Sequence, residues 1–421
     1  MDVQSRLNAV AAVNALTARW AATCSGGTVV MAGSGVWPLL AYLAAAADGR
    51  GREELQDAVG MAGVTASQAA RTVLSIMDSS PAVRAALGLW FRANLPLRPD
   101  WIGMLPAGVH GELTSDPVAD RLRVDRWADE QTGGLIPAMP LKATDETLLV
   151  LAMALTVRTT WLRPFTDGVG VFEGGPWGGR EIHVLRRTTR VLDRARVAHT
   201  PAGLLTLLRV MGTGGIDVHL VLGEDSARPG EVLTAGIDVV AGRHTAIEAG
   251  ALSAGAPGPG MTVRFVRART PEDLLDVTVP RFSVSSAHDL LDLPEVFGLR
   301  TVTDVTRGHF PGISTEPLAV TQARQNAVAT FRATGFESAA VTAIGVAAGG
   351  AAPRNPYRVR RIDLDFSRPF GFLTVDRRTR LVLTAGWIAE PEAWSEELND
   401  RAFKPAVTPA RAGDAPKPRR A

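Results

Sequence analysis

Gly335-Phe336-Glu337-Ser338-Ala339-Ala340-Val341-Thr342 runs on into Ala343-Ile344-Gly345-Val346-Ala347-Ala348-Gly349-Gly350-Ala351-Ala352-Pro353, and no side chain between Glu337 and Arg354 carries a charge. Surface loops ordinarily carry charge, so a small-residue, uncharged stretch of this length is buried, disordered, or able to pass between the two states. Read at the period of a strand, one face presents Phe336, Ser338, Ala340, Thr342, Ile344 and Val346, and the other Gly335, Glu337, Ala339, Val341 and Ala343. Such a segment could join a sheet with an uncharged inner face. On these residues alone it could equally be an Ala/Gly linker between the body of the protein and a C-terminal hairpin.

Away from this stretch the chain divides by texture. Residues 2–22, Val36 to Ala47, Arg52 to Val59 and Thr65 to Met77 carry apolar side chains at helical spacing, the first through Val3, Leu7, Val10, Val13, Leu16 and Trp20. Pro81 and Asn94-Leu95-Pro96 bracket a strand at Ala85 to Arg92, and Val124 to Gln131 predicts a further helix closed by Gly133-Gly134. From residue 147 to about 285 the apolar segments shorten: Leu148 to Val157, Val184 to Leu192, Leu204 to Met211, Val218 to Leu222, Met261 to Val266 and Leu275 to Val279. Separated by Gly, Pro or charged clusters, they predict a large antiparallel sheet system. Leu148 to Val157 is too short to span a bilayer and reads as a buried strand. Helix returns at Asp289 to Leu299 and strand at Val320 to Ala333, so the order of elements argues an α+β fold. The tail from Lys404, rich in Pro, Ala and Arg, reads as disordered.

Composition narrows the function classes. The 421 residues include 45 Lys and Arg against 43 Asp and Glu, a net charge of +2 that calls for no nucleic-acid partner. Cys24 is the sole cysteine, so no intramolecular disulfide can form and the fold must rest on packing. The N-terminal helix pattern lacks the unbroken apolar core of a secretory leader, which leaves the compartment open. Ser34 sits in Ala32-Gly33-Ser34-Gly35 rather than in a Gly-x-Ser-x-Gly elbow, and His183, His199, His219, His244, His288 and His309 are scattered. No enzyme activity, metal or cofactor is therefore expected. Gly212 to Gly215 and Gly255 to Gly260 read as turns, because neither ends in the Lys-Ser or Lys-Thr of a phosphate loop. Arg186-Arg187, Arg358 with Arg360-Arg361, and Arg419-Arg420 could bind a polyanion but read more readily as solvated faces. Trp127 and Trp161 are assigned to the core.

The surroundings of the uncharged stretch decide between strand and linker. Ala333-Thr334-Gly335-Phe336-Glu337-Ser338-Ala339-Ala340-Val341-Thr342 resembles the serpin hinge, which reads roughly Glu-Glu-Gly-Thr-Glu-Ala-Ala-Ala-Ala-Thr. Ile362 to Phe372 around Arg368-Pro369-Phe370, followed by Thr379, Leu383, Gly386, Trp387 and Pro391, is similar to that family's closing strands. Upstream, Val279-Pro280-Arg281-Phe282, Asp289-Leu290, Phe297-Gly298-Leu299 and Gly312-Ile313-Ser314 follow the family order, as do Trp127 with Thr132 to Ile136, Trp161-Leu162-Arg163-Pro164-Phe165, and Ala47-Asp48-Gly49 before Glu54-Leu55. The likeness extends from about residue 5 to residue 392.

The resemblance implies one serpin domain over residues 1–395, a reactive loop at about 335–358, a tail at 396–421 and a monomeric state. It also implies a serine protease as partner: the protease cuts the loop, which then inserts into the central sheet and traps the enzyme as a distorted acyl-enzyme. The inward hinge positions must be small, and Phe336 is not; over-packing costs roughly 1–3 kcal/mol. Ala333 stands where the family has its first hinge Glu. The positions of the family's Ser-Pro-x-Ser motif with its Asn and His partners hold Ala32, Gly33, Gly35, Met153 and Gln325, so that network is expected to be largely absent. These departures keep open a non-inhibitory serpin with a binding, carrier or structural role. Counting forward from the hinge places the cleaved bond between Gly349 and Gly350, suited to a small-residue-specific protease. Counting back from Pro369 favours Arg354 or Arg358 and a trypsin-like one. The forward count is preferred, since trapping depends on the distance from hinge to bond.

Overall fold

The computed structural model describes residues 3–114, 116–134, 136–139, 149–336 and 356–394. Four helices open the chain: α1 (Val3–Ala22), α2 (Gly33–Ala46), α3 (Gly49–Val59) and α4 (Gly63–Asp78). Helix α2 is apolar on every side and almost wholly buried, as such a composition requires. Gly63 lets α4 start at backbone distance from it, because a Cβ there would lie 2.6 Å from the Ala44 carbonyl oxygen. On α1 the apolar face is narrower than its spacing predicts: Val10, Val13, Leu16 and Trp20 are buried, whereas Val3 and Leu7 are exposed. After the short α5 (Pro99–Ile102), α6 (Pro117–Thr132) starts at Asp116, whose carboxylate accepts from the Val118 and Ala119 amides, and ends at Gly133 in the left-handed conformation.

Three sheets follow. The central one has the order β3 (His110–Leu113), β2 (Val83–Arg92), β4 (Leu149–Val157), β16 (Gln322–Phe331), β17 (Gly335–Phe336), β5 (Thr159–Thr160), with β15 (Phe282–Asp289) on the other edge of β16. The second runs β1 (Val29–Met31), β20 (Val382–Ile388), β19 (Phe370–Asp376), β10 (Ile216–Leu222), β9 (Gly203–Met211), β8 (Ala195–Thr200), β11 (Ala246–Glu248). The third runs β12 (Gly255–Gly258), β13 (Met261–Ala268), β18 (Tyr357–Asp365), β14 (Leu274–Pro280), β7 (Glu181–Thr189), β6 (Thr166–Val171). Among the described strands only β2–β3, β4–β16 and β14–β18 pair in parallel. The α+β architecture expected from the order of helices and strands is the one observed.

Two expectations need correction. The stretch read as sheet throughout contains α7 (Pro229–Ala241), which begins at Pro229, places Glu231 back onto the Arg228 amide and ends at Gly242 in the left-handed conformation. The helix predicted over Asp289 to Leu299 is instead the end of β15 and two short pieces, Leu290–Asp292 and α8 (Pro294–Phe297).

Strand β4 explains how the layers meet. Leu149, Leu151, Met153, Leu155 and Val157 enter the main core, while Val150, Ala152 and Ala154 face a smaller cluster with Val124 and Ala128 of α6. A strand covered on both sides reads as a nearly unbroken apolar run, which is the pattern the sequence carries. The main core also holds Phe282, stacked on Phe331 with ring centroids 5.2 Å apart.

Candidate functional site

The uncharged stretch begins where β16 ends. Arg332 donates its amide to the Gly335 carbonyl at 2.9 Å, turning the chain back so that Phe336 pairs with Phe331. The Trp161 to Phe165 segment holds this turn in place. The Trp161 amide donates to Thr334 O at 2.9 Å, the Phe165 amide to Ala333 O at 2.8 Å, and the Trp161 indole N–H to Arg332 O at 2.8 Å. Trp161 is buried, as assigned from sequence; Trp127 is half-buried, edge-on to Trp90 at 5.7 Å.

Gly335 and Phe336 also pair with Thr160 and Thr159 of β5, so this first piece of the stretch is a strand bonded on both sides. The approach demands glycine: a Cβ on Gly335 would lie 2.4 Å from the Thr159 carbonyl oxygen and 2.9 Å from Thr160 Cα. Glu337, Ser338, Ala339, Ala340, Val341 and Thr342, together with Gly349, Gly350 and Arg354, lie outside the described residues.

Below this entry the central sheet is closed. Strands β4 and β16 pair directly over six positions, from Gln322 opposite Val150 to Ala327 opposite Leu155. On the return side the chain is described again from Pro356 and immediately enters β18. Arg358 lies in that strand, opposite Arg267 of β13, with its guanidinium 4.8 Å from the Phe265 ring centroid.

Behind the sheet, different residues fill the place of the network expected to be absent. Gln325, fully buried on β16 and opposite Met153, accepts from the Ala32 amide at 3.0 Å through Oε1 and donates to the Ala32 carbonyl at 2.8 Å through Nε2. On neighbouring β15, Ser286 Oγ accepts from the Val30 amide at 3.0 Å, and His288 Nε2 lies 2.7 Å from the Val30 carbonyl. Burial lowers the His288 pKa and the carbonyl bond partly opposes that shift, so the ring is neutral and donates. Three side chains of the central sheet thus fasten the backbone of residues 30–32, where the second sheet passes into α2. Ser286 and His288 escaped sequence reasoning because their partner is main chain, which leaves no side-chain pattern to find. Ser34, the residue weighed as a nucleophile, is fully buried and donates to Leu383 O at 2.8 Å. Among the described residues no group of three His, Cys, Asp or Glu is placed to hold a metal ion.

Comparison with known proteins places this arrangement. The profile of the family Serpin (serine protease inhibitor) matches residues 10–168 and 261–391. Serpin-Z6C of Oryza sativa subsp. japonica is 24% identical over 403 residues, covering 87% of this chain and 91% of that protein. Among solved structures, Serpin48 of the insect Tenebrio molitor, titled a highly specific serpin, aligns with TM-score 0.66 at 18% identity over 92% of this chain and 98% of its own. Thyroxine-binding globulin in complex with thyroxine aligns with TM-score 0.67 at 14% identity over 93% of this chain and 100% of its own. With the family profile matched over residues 10–168 and 261–391, well over half of the chain, this chain belongs to the serpin family.

Proposed function

We propose that the protein inhibits a serine protease as a suicide substrate, residues 337–349 entering the central sheet between β4 and β16 once the loop is cut. The observation that carries this reading is that Gly335 and Phe336 are already bonded between β16 and β5 directly above a parallel pair with nothing between its strands. A chain continuing from Phe336 down that seam would run antiparallel to both neighbours. It would exchange six register positions for two complete ladders, and antiparallel pairing is slightly the more stable per residue. Serpin loop insertion is itself an established instance of strand addition to a sheet.

The bond between Gly349 and Gly350 is the proposed site of attack, which suits a protease with a small specificity pocket. Arg358 is disfavoured because it lies within β18 with paired neighbours, whereas a protease needs extended, accessible chain; Arg354 remains the trypsin-like candidate. Phe336 argues for slow insertion. If hydrolysis outruns insertion, the same fold is a non-inhibitory serpin with a binding, carrier or structural role, and Phe336 together with the replaced network behind the sheet favours that second reading. The test is incubation with elastase-like, subtilisin-like and trypsin-like proteases, followed by denaturing electrophoresis and mass spectrometry of the released C-terminal peptide. A 1:1 adduct that survives boiling in detergent, with a cut after Gly349, supports inhibition; complete loop cleavage without adduct by all three refutes it.

A further inference from the structure

We propose that the hairpin β12–β13 is a clamp on the far end of the loop: it holds β18 inside the third sheet, so that residues 337–349 insert after the loop is cut and not before. The clamp has this role only if the loop inserts at all, the reading proposed above. The loop is tied at both ends, to β17 at Gly335–Phe336 and to β18 at Tyr357–Asp365. Residues 337–349, laid into the central sheet as a strand, would reach roughly 43 Å along the seam. Residues 350–355 span at most about 20 Å. In an uncut chain the shortfall has to come from β18, about seven residues of which would leave the third sheet.

Strand β18 is not free to leave. It pairs antiparallel with β13 over eight positions, from Met261 opposite Leu364 to Ala268 opposite Tyr357. On its other side it pairs in parallel with β14 over five, from Leu274 opposite Arg361 to Thr278 opposite Asp365. Among the described strands, therefore, Tyr357 to Arg360 are paired by β13 alone, and these are the residues that would peel first. Without β13 they would be an arm with no ladder, at the edge of the sheet. With it, β18 opens only when two ladders part and buried Val359, Ile362 and Leu364 are uncovered, a sub-global event.

Side chains of β13 reinforce the ladder at the point where the loop returns. Arg264 meets the Asp363 carboxylate at 2.5 Å, and Arg267 donates to the Pro356 carbonyl at 3.3 Å. The Phe265 ring centroid lies 4.8 Å from the Arg358 guanidinium and 5.4 Å from that of Arg360. From the other side, the Asp273 carboxylate accepts from the Arg360 amide at 2.6 Å. These contacts hold a register that sets like charges opposite each other, Arg267 against Arg358 and Arg264 against Arg361. Once the bond between Gly349 and Gly350 is cut, no part of β18 has to move, and the clamp no longer opposes insertion.

Proline substitution with its own control tests this. Alternate N–H groups of β13 face β18 and the opposite side, and at Phe265 and Val266 that opposite side carries no described strand, since β12 pairs no further than Val263. Of Phe265→Pro and Val266→Pro, one therefore breaks the ladder to β18 and the other spares it. The uncut full-length proteins are held in mild denaturant at raised temperature beside nicked wild type, and amide exchange follows residues 337–348 and 357–365. Uncut wild type and the sparing variant should keep their loop amides open. The ladder-breaking variant should protect them at least about tenfold faster, as β18 loses protection. Phe265→Cys with Arg360→Cys, directly opposed across the two strands, in a Cys24→Ser background serves if proline prevents folding. Once oxidised, that protein should insert its loop when cut, at the wild-type rate, and never when uncut. Equal rates in all uncut proteins, loop protection gained while β18 stays protected, or insertion by the uncut cross-linked protein overturns the clamp. Nicked wild type whose loop stays open would overturn insertion itself, and the clamp with it.

Discussion

Replacing Gln325 by leucine perturbs the point where β16 is fastened to the start of α2. The side chain is fully buried, and its amide satisfies both the N–H and the C=O of Ala32. Leucine fills nearly the same volume, so the cavity contribution is small; the buried Ala32 N–H loses its partner, whereas the Ala32 carbonyl keeps the Gly35 amide at 3.1 Å and the Val36 amide at 3.4 Å. An orphaned buried group costs about 1–3 kcal/mol, which sets the expected loss at about 2 kcal/mol. Unfolding entropy of about 2 cal/mol/K per residue, over a chain of this length, converts that loss to a Tm lower by about 2 °C. Gln325→Asn is a graded control: its amide sits one methylene short and cannot reach both groups, so it should fall between wild type and Gln325→Leu. Differential scanning calorimetry and urea unfolding measure the effect on uncleaved protein. A Gln325→Leu variant within about a degree of wild type would refute the reasoning, because it would mean that Ala32 finds other partners or was never dependent on the amide.

Two further outcomes follow from the same geometry. Phe336→Thr, which gives the hinge the small residue of the family pattern, should raise the fraction of encounters that end in adduct, measured as fewer moles of protein consumed per mole of protease inactivated; an unchanged ratio would remove Phe336 as the cause of slow insertion. Stability should fall as the pH drops from about 6.5 towards 4, because burial lowers the pKa values of His183, His219 and His288, His219 to about 4. Their unfolded forms bind protons that the native state refuses, so stability is complete above the ordinary histidine pKa and is lost below it. Tm measured from pH 7 to pH 5 should decline, and less steeply in His219→Gln; a flat profile would contradict the assignment.

What the sequence disclosed depended on how many residues carried each signal. Strand β4 was legible because its apolar run, broken only by Thr156, is too short for a bilayer and suits a strand covered on both faces. The family was legible because Trp161 to Phe165 and Arg368-Pro369-Phe370 occur in a fixed order around Gly335 and Phe336. Helix α7 was hidden by Gly230 and Gly236, which weaken helix propensity yet are contact points: a Cβ on Gly230 would lie 2.5 Å from the Ala22 carbonyl oxygen. Packing, which a single sequence does not display, overrides propensity there. The fastening of residues 30–32 was hidden for a related reason, since a lone glutamine, serine or histidine on a strand gives no pattern when its partner is a backbone group.

The central claim is that residues 337–349 can become a strand between β4 and β16, and loop cleavage tests it most directly. Limited proteolysis at the Gly349–Gly350 bond, followed by calorimetry and amide hydrogen exchange of the nicked protein, gives two readings of one event. Six additional register positions at about 1 kcal/mol each should raise Tm by about 7 °C. Amides from Glu337 to Ala348 should at the same time become as protected as those of β16. A Tm that stays where it was, with those amides still exchanging at the rate of open chain, would contradict the account.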